Sequence, residues 1–174
     1  PDFVAGHSVG EYAALVASGA ATAETGLQLV RERARLMQAA GEQRPGGMVA
    51  VLGLSRDQVD DACRRAQEQV ANSYVAVANH NAPTQVTIAG DPAGLDAAVE
   101  QCRAAGARRC VPLEVSAAFH SRAMEPAGNR LAELVAAADV RDPDVPLVGN
   151  VDARPLITAG EVRRELAVQV AKPV

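Results

Sequence analysis

Gly6-His7-Ser8-Val9-Gly10, close to the start of the chain, is the most informative motif in the sequence. It follows a short apolar segment at residues 2–6 and precedes a helical pattern that stops at Gly19. A G-x-S-x-G turn between a strand and a helix is typical of a nucleophile elbow, where small residues permit a tight turn that exposes the serine hydroxyl. The pattern predicts an α/β fold with Ser8 as nucleophile and the Val9 N–H, at the helix start, as an oxyanion donor. The alternative is a glycine-rich turn with an incidental serine.

Composition narrows the classes of function. Of the 174 residues 48% are hydrophobic and only 2% are aromatic, and the net charge is −4, so a nucleic-acid partner is not expected. No apolar run approaches the roughly 20 residues of a membrane span, and no signal peptide is visible. The three cysteines include no CxxC pair, and Cys63 and Cys102 fall on apolar stripes of predicted helices, which favours reduced core residues in a cytoplasmic protein. Neither a bound metal nor a bound cofactor is expected.

The patterning of the chain indicates a core with an insertion. Residues 46–115 read as βαββαβ, the order of a ferredoxin-like unit, with helices capped at Ser55 and Asp91. Residues 1–45 and 116–174 alternate helix and strand, with a helix start predicted by a capping box of Thr158 and Glu161, and are expected to form an α/β-hydrolase-like core with a parallel sheet. Both ends look cut, so we expect a fragment of a longer enzyme. The strands of the insertion are predicted at 48–54, 74–78, 85–89 and 110–115, with a loop at 79–83, and a core strand is predicted at 145–150.

A serine nucleophile needs a base, and the sequence offers three histidines. His7 adjoins Ser8, so its side chain should diverge from that of the serine. His80 lies in the predicted loop of the insertion. His120 follows a strand and precedes a helix, and its position makes it the favoured base. The acids between Ser8 and His120 look like caps and exposed helix positions, so no triad carboxylate is evident.

Arg33 lies in the middle of the apolar arc of the second predicted helix. A charge there is costly unless it has a partner. A guanidinium at this place could bind a substrate carboxylate in bidentate fashion. An intramolecular salt bridge or a side chain that reaches solvent would explain it equally well.

Taken together, these motifs resemble the malonyl-CoA:acyl carrier protein transacylases and the related acyltransferase domains of polyketide synthases. The resemblance extends over essentially the whole chain, in the right order. It is carried by Gly6-His7-Ser8-Val9-Gly10-Glu11-Tyr12, Leu29-Val30-Arg31-Glu32-Arg33, Asn79-His80-Asn81-Ala82-Pro83, Ala118-Phe119-His120-Ser121, Gly149-Asn150-Val151 and Gln169-Val170-Ala171-Lys172-Pro173-Val174.

The resemblance implies a role for each catalytic residue. Ser8 would attack the thioester of malonyl-CoA, with His120 as base and then acid. Arg33 would hold the malonyl carboxylate, and Val9 would supply an oxyanion N–H. A main-chain carbonyl near Gln169 would orient the imidazole, which accounts for the missing acid.

The resemblance also implies residues that shape the pocket. His7 would support the turn and pocket, and Asn81 belongs to the matching insertion segment and is expected to bind substrate. Phe119 resembles the malonyl-selecting version of the motif, because a ring would crowd a methyl on the acyl α-carbon. The family's glutamine-containing oxyanion loop lies upstream of the elbow, so we expect part of the site to lie outside these residues.

Several interpretations stay open at this point. The parent could be a discrete transacylase in fatty-acid or polyketide synthesis, or one domain of a polyketide synthase. A serine esterase or thioesterase would require a triad carboxylate and would leave Arg33 without a role. A non-catalytic domain is disfavoured by the joint presence of Ser8, Arg33 and His120. An acidic carrier protein would dock on a basic surface, for which Arg103, Arg108 and Arg109 are candidates, although they could equally be a solvated face.

Overall fold

The computed structural model describes all of residues 1–174 as a mixed α/β protein. None of its helices has both the length and the hydropathy needed to cross a bilayer. In chain order the elements are β1 (Val4–Ala5), α1 (Gly10–Ala17), α2 (Ala23–Gln43), β2 (Gly47–Leu52), α3 (Arg56–Gln69), β3 (Val75–Ala82), β4 (Gln85–Gly90), α4 (Pro92–Ala104), β5 (Arg109–Pro112), α5 (Glu125–Ala137), β6 (Leu147–Val148), β7 (Pro155–Leu156) and α6 (Ala159–Val168).

The chain divides into two compact units. The first comprises residues 1–39, 125–172 and 174, and the second comprises residues 40–124 and 173. Residues 46–115, the predicted insertion, lie within the second unit.

The first unit is built on a three-stranded sheet in the order β1-β6-β7. Strand β1 pairs with β6 in parallel, with Val4 opposite Leu147, and β7 pairs with β6 antiparallel. The predicted strand at 145–150 is shorter in the structure, because the Asn150 N–H leaves the ladder to donate to two glutamate side chains. The core of this unit includes Tyr12, Leu15, Leu131, Leu147 and Leu166.

The second unit contains a four-stranded antiparallel sheet in the order β3-β4-β2-β5. Its strands place alternate apolar residues on one face, the period expected of a half-buried sheet. Helices α3 and α4 pack against each other and against this face. Cys63 and Cys102 lie in this core as free thiols, which confirms their prediction as core residues.

The prediction of a loop at 79–83 is wrong. Strand β3 continues through Asn79, His80 and Asn81 to Ala82, which pairs with Gln85 across a two-residue turn. Two register shifts interrupt the ladder on this strand. Polar residues there broke the apolar alternation on which the prediction relied, whereas main-chain pairing with β4 does not require that alternation.

The predicted helix starts are confirmed at three places. Ser55 with Gln58 and Thr158 with Glu161 form capping boxes, and the Asp91 side chain accepts from Gly94 N–H with Pro92 at the first helical position. These caps satisfy N–H groups that the first helical turn leaves unpaired.

Candidate active site

The nucleophile elbow is a strained turn between β1 and α1. Ser8 has a φ of 53°, in the left-handed region that a non-glycine residue rarely adopts. Gly10 N–H donates to the His7 carbonyl at 2.9 Å, which closes the turn into the helix. A Cβ on Gly6 would lie 2.0 Å from the Gly10 carbonyl oxygen, so only glycine fits there. The prediction of a tight strand–helix turn at Ser8 is confirmed in its backbone form.

Both main-chain groups of Ser8 are held by side chains from the far end of the sequence. Ser8 N–H donates to Asn150 Oδ1 at 2.7 Å, and Gln169 Nε2 donates to the Ser8 carbonyl at 2.8 Å. Asn150 Nδ2 also donates to the Gly6 carbonyl at 2.8 Å. Asn150 therefore links the end of β6 to Ser8, a role that the sequence did not predict. The signal present in the sequence was a polar residue at the end of the strand predicted at 145–150.

Arg33 reaches the Ser8 side chain from α2. Its Nη2 donates to Ser8 Oγ at 2.9 Å, and the residue is only 8% exposed. The guanidinium carbon lies 5.9 Å from the centre of the Tyr12 ring. Burial lowers the pKa of Arg33, and Tyr12 and Glu11 act in the opposite direction. A guanidinium stays charged in proteins, so the site presents a buried cation beside the serine.

No carboxylate of the chain forms an ion pair with Arg33. Its Nε is buried and makes no hydrogen bond within the protein. Of the interpretations left open by the sequence, an intramolecular salt bridge and a side chain that reaches solvent are therefore both wrong. A buried guanidinium with an unused donor suits an anionic ligand with two oxygen acceptors.

Two buried carboxyl groups lie behind the elbow. Glu11 is 0% exposed and Glu165 is 8% exposed. The Asn150 N–H donates to one oxygen of each, at 3.1 Å and 2.7 Å, and Val151 N–H donates to Glu165 at 2.9 Å. Gln169 Nε2 donates to Glu11 at 2.7 Å. The same two residues, Asn150 through its main-chain N–H and its side chain and Gln169 through its side chain, thus contact both the carboxyl pair and the Ser8 main chain.

The environment of Glu11 disfavours its charge. Burial and the nearby Glu165 carboxyl together raise the pKa of Glu11 to about 8, although hydrogen bonds from Gln169 and Asn150 oppose the shift. Near neutral pH, Glu11 is therefore mostly protonated.

The remaining predicted residues belong to the second unit. His120 is 4% exposed and has a φ of 55°. Its turn is closed by Ser121, whose hydroxyl donates to the Ala118 carbonyl at 2.6 Å and accepts from Ala123 N–H. Phe119 is half-buried beside it. Asn81 lies on the exposed part of β3.

Within the first unit, the structure brings together Ser8, Arg33 and Gln169. Val9 precedes the first residue of α1 with its side chain 51% exposed, and His7 is exposed. The pairing of His120 with Ser8 stays a prediction.

Comparisons with known proteins show what the chain is similar to. Residues 1–171 match a family described as "Acyl transferase domain". The chain is 38% identical over 174 residues to a malonyl CoA-acyl carrier protein transacylase of Bacillus subtilis, covering 100% of this chain and 54% of that protein. It is 45% identical over 177 residues to the polyketide biosynthesis protein ThaF of Burkholderia thailandensis. That match covers 100% of this chain and 14% of ThaF.

A solved structure is similar over the whole chain. The acyl-carrier-protein S-malonyltransferase of Burkholderia pseudomallei superposes with a TM-score of 0.93 at 44% identity, over 100% of this chain and 56% of that one. The chain spans about half the length of the transacylases that it matches.

The close approach at Gly6 gives a first prediction. Gly6→Ala should lower the free energy of unfolding by about 1–3 kcal/mol or more, because the new methyl overlaps the Gly10 carbonyl. The matched control is Gly10→Ala, where nothing lies within 4 Å of the added carbon. That variant should change stability by less than about 1 kcal/mol. Urea unfolding of the two variants would measure this, and equal losses would contradict the steric argument.

The raised pKa of Glu11 predicts a pH-dependent stability difference. The ordinary value is 4.5 and the folded value is about 8, so the folded protein binds more protons in between. The free energy of unfolding should therefore fall as pH rises through this window, by at most about 1.4 kcal/mol per pH unit from this group. Glu11→Gln cannot titrate and should gain stability relative to wild type from pH 5 to 8. Parallel unfolding curves at pH 5, 6.5 and 8 would measure it; a constant difference would refute it.

Proposed function

Since this chain belongs to the acyl transferase domain family, we propose that in the full-length protein it moves a malonyl group from coenzyme A to the phosphopantetheine thiol of an acyl carrier protein. The observation that carries the proposal is the Arg33 guanidinium, which lies 2.9 Å from Ser8 Oγ and has no carboxylate partner in the chain. The relatives named as malonyl transferases support the choice of acyl group.

The short span of a malonyl group fits this separation. One methylene joins the carboxylate to the thioester carbonyl, so a cation that binds the carboxylate must lie close to the nucleophile. Arg33 meets that requirement through its contact with Ser8. A bidentate guanidinium–carboxylate pair would fix both the position and the plane of the acyl group. An acetyl group lacks the carboxylate and would gain nothing from Arg33.

Transfer of the malonyl group would proceed in two steps. Ser8 Oγ attacks the thioester carbonyl while His120 takes the hydroxyl proton, and the C–S bond breaks to leave a malonyl-serine ester. His120 returns the proton to the coenzyme A thiolate. In the second step His120 deprotonates the pantetheine thiol, whose sulfur attacks the ester, and Ser8 recovers its proton.

The residues around this dyad have supporting roles in the proposal. The Val9 N–H, at the start of α1, would donate to the oxyanion. The main-chain carbonyl near Gln169 would orient the His120 ring in place of a triad carboxylate. Asn81 and His7 would line the pocket, and Phe119 would exclude a methyl on the acyl α-carbon.

We infer an α/β-hydrolase-like core with a ferredoxin-like insertion. The element order of the second unit, β2-α3-β3-β4-α4-β5, and its sheet order β3-β4-β2-β5 support the insertion. The parallel pairing of β1 with β6 supports the core, although β7 adds an antiparallel strand.

A basic surface supports the carrier-protein partner. Arg103, Arg108 and Arg109 are exposed, form no salt bridge and line a surface cavity of about 480 Å³ at the edge strand β5. Acidic carrier proteins are attracted to such a surface, and the attraction raises the association rate more than the final affinity. We propose a cytoplasmic setting, in fatty-acid or polyketide synthesis.

The covalent intermediate provides the first test of the function. The full-length protein incubated with malonyl-CoA should gain one malonyl group on Ser8, detected by mass spectrometry of the digested protein. Ser8→Ala should remain unmodified, and His120→Ala should acylate at least about 100-fold more slowly because it lacks the general base. A wild-type protein that stays unmodified would overturn the proposal.

The role of Arg33 is tested by substrate selectivity. Arg33→Ala in the full-length protein should lower kcat/KM for malonyl-CoA by roughly 10- to 100-fold, the effect of a lost hydrogen-bonded charge pair. Activity with acetyl-CoA should be retained or raised. Arg35→Ala is the matched control, because Arg35 is exposed and pairs with Glu32 on the same helix. An unchanged malonyl preference in Arg33→Ala would instead favour the esterase interpretation.

A further inference from the structure

Behind the elbow, the structure contains a buried carboxyl pair that the proposed chemistry does not use. We propose that Glu11, in its protonated form, and Glu165 are positioning residues that, through Asn150 and Gln169, hold the Ser8 main chain in its left-handed conformation. The inference rests on the proposed function only in taking Ser8 as the nucleophile.

The two carboxyl groups are joined by a shared donor. The Asn150 N–H donates to Glu11 Oε1 at 3.1 Å and to Glu165 Oε1 at 2.7 Å, so these two oxygens face the same hydrogen. Val151 N–H adds a second bond to Glu165 Oε1 at 2.9 Å. The main chain approaches Glu165 closely, since a Cβ on Gly149 would lie 3.1 Å from the Glu165 carboxyl carbon. The two carboxyl groups are therefore held by main-chain N–H donors and packed closely against the main chain at Gly149.

No cation neutralises the pair through a salt bridge. Three ionisable groups interact electrostatically with Glu11. They are Glu165 on α6, Tyr12, which follows Glu11 on α1, and Arg33 on α2. Two adjacent carboxylates in a buried site repel each other, and retaining one proton removes that repulsion. The neutral form of Glu11 is thus the one that lets both side chains remain in place.

The pair is connected to the nucleophile by two amides. Asn150 accepts from Ser8 N–H through Oδ1 while its own N–H binds the carboxyls. Gln169 is 0% exposed, and its Nε2 donates to both Glu11 Oε2 and the Ser8 carbonyl. A negative charge on Glu11 would repel Glu165, and the two carboxyl groups would move apart together with the Asn150 and Gln169 donors that bind them. The hydrogen bonds at both ends of the Ser8 residue would then weaken.

The test uses a probe that reads Ser8 independently of the acyl substrate. A fluorophosphonate phosphonylates a reactive serine: the Ser8 oxygen bonds to phosphorus, fluoride leaves, and the hydroxyl proton passes to the base. The rate of labelling at Ser8 in the full-length protein is measured from pH 6.5 to 9.5. The variants are Glu11→Gln, Glu11→Ala and the exposed control Glu24→Gln.

The expected result is a ratio of the wild-type labelling rate to the Glu11→Gln labelling rate that changes with pH. Glu11→Gln mimics the neutral carboxyl and should label within about threefold of wild type at pH 7, whereas Glu11→Ala should be at least about tenfold slower. With a Glu11 pKa of about 8, the wild-type rate relative to Glu11→Gln should fall about tenfold between pH 7 and 9. The titration of the base is common to both proteins and cancels in the ratio. The control Glu24→Gln should label at the wild-type rate at every pH.

Two results would overturn the proposal. A wild-type to Glu11→Gln ratio that does not change with pH would show that the proton on Glu11 has no effect on Ser8. A Glu11→Gln variant that folds but labels as slowly as Glu11→Ala would show that a neutral group cannot replace the proton-bearing carboxyl. A merely structural role would lower the melting temperature without changing the pH dependence of the ratio.

The link through Asn150 is tested by a double-mutant cycle. If Glu11 acts through Asn150, Asn150→Ala should slow labelling by about the same factor as Glu11→Ala. The double variant Glu11→Ala/Asn150→Ala should then be little slower than either single variant. Multiplicative losses in the double variant would refute the connection.

Failure of this proposal can be told apart from failure of the proposed function. Ser8 that labels with the expected pH ratio but never acquires a malonyl group would overturn malonyl transfer alone. Ser8 that is malonylated while the pH ratio stays flat would overturn the positioning role alone. If neither reagent modifies Ser8, both fall, because there would be no nucleophile to position.

Discussion

A serine with a φ of 53° must be held by its surroundings, because an L-residue in the left-handed region is higher in energy than in extended or helical backbone. In this protein the restraint comes from hydrogen bonds at both main-chain groups of Ser8, one to Asn150 and one from Gln169. The glycine at position 6 permits the close approach of β1 to α1 that the turn requires. The position of the Ser8 hydroxyl, and with it the contact from Arg33, depends on this one backbone conformation.

Buried charge is the second organising feature of the first unit. Arg33 keeps a cation next to the Ser8 hydroxyl without an ion-pair partner, and its buried Nε makes no hydrogen bond within the protein. Glu11, in contrast to Arg33, is mostly neutral, because burial and a neighbouring carboxyl group favour its protonated form. A cation that stays charged and an acid that stays protonated can occupy one small region because their environments act on them differently.

Local pattern was sufficient for features that depend on neighbours in sequence. The turn at Ser8, the capping residues Ser55 and Thr158, and the burial of Arg33 all follow from spacing over a few residues. The strand through Asn79–Asn81 was missed, since main-chain pairing with β4 overrides its polar side chains. The network behind the elbow was missed for a different reason. Nothing near Glu11 in the sequence indicates that a carboxyl of α6, more than 150 positions later, will lie against it.

The sequence separation of those bonds has a consequence for how the protein is made. Asn150 and Gln169 lie 142 and 161 positions after Ser8. While the ribosome is still synthesising the middle of the chain, the serine has emerged but the groups that hold it have not been made. Its backbone is then free to relax toward ordinary conformations, as in any unrestrained peptide. The left-handed conformation of Ser8 is therefore acquired late in synthesis, when the two ends of the first unit meet.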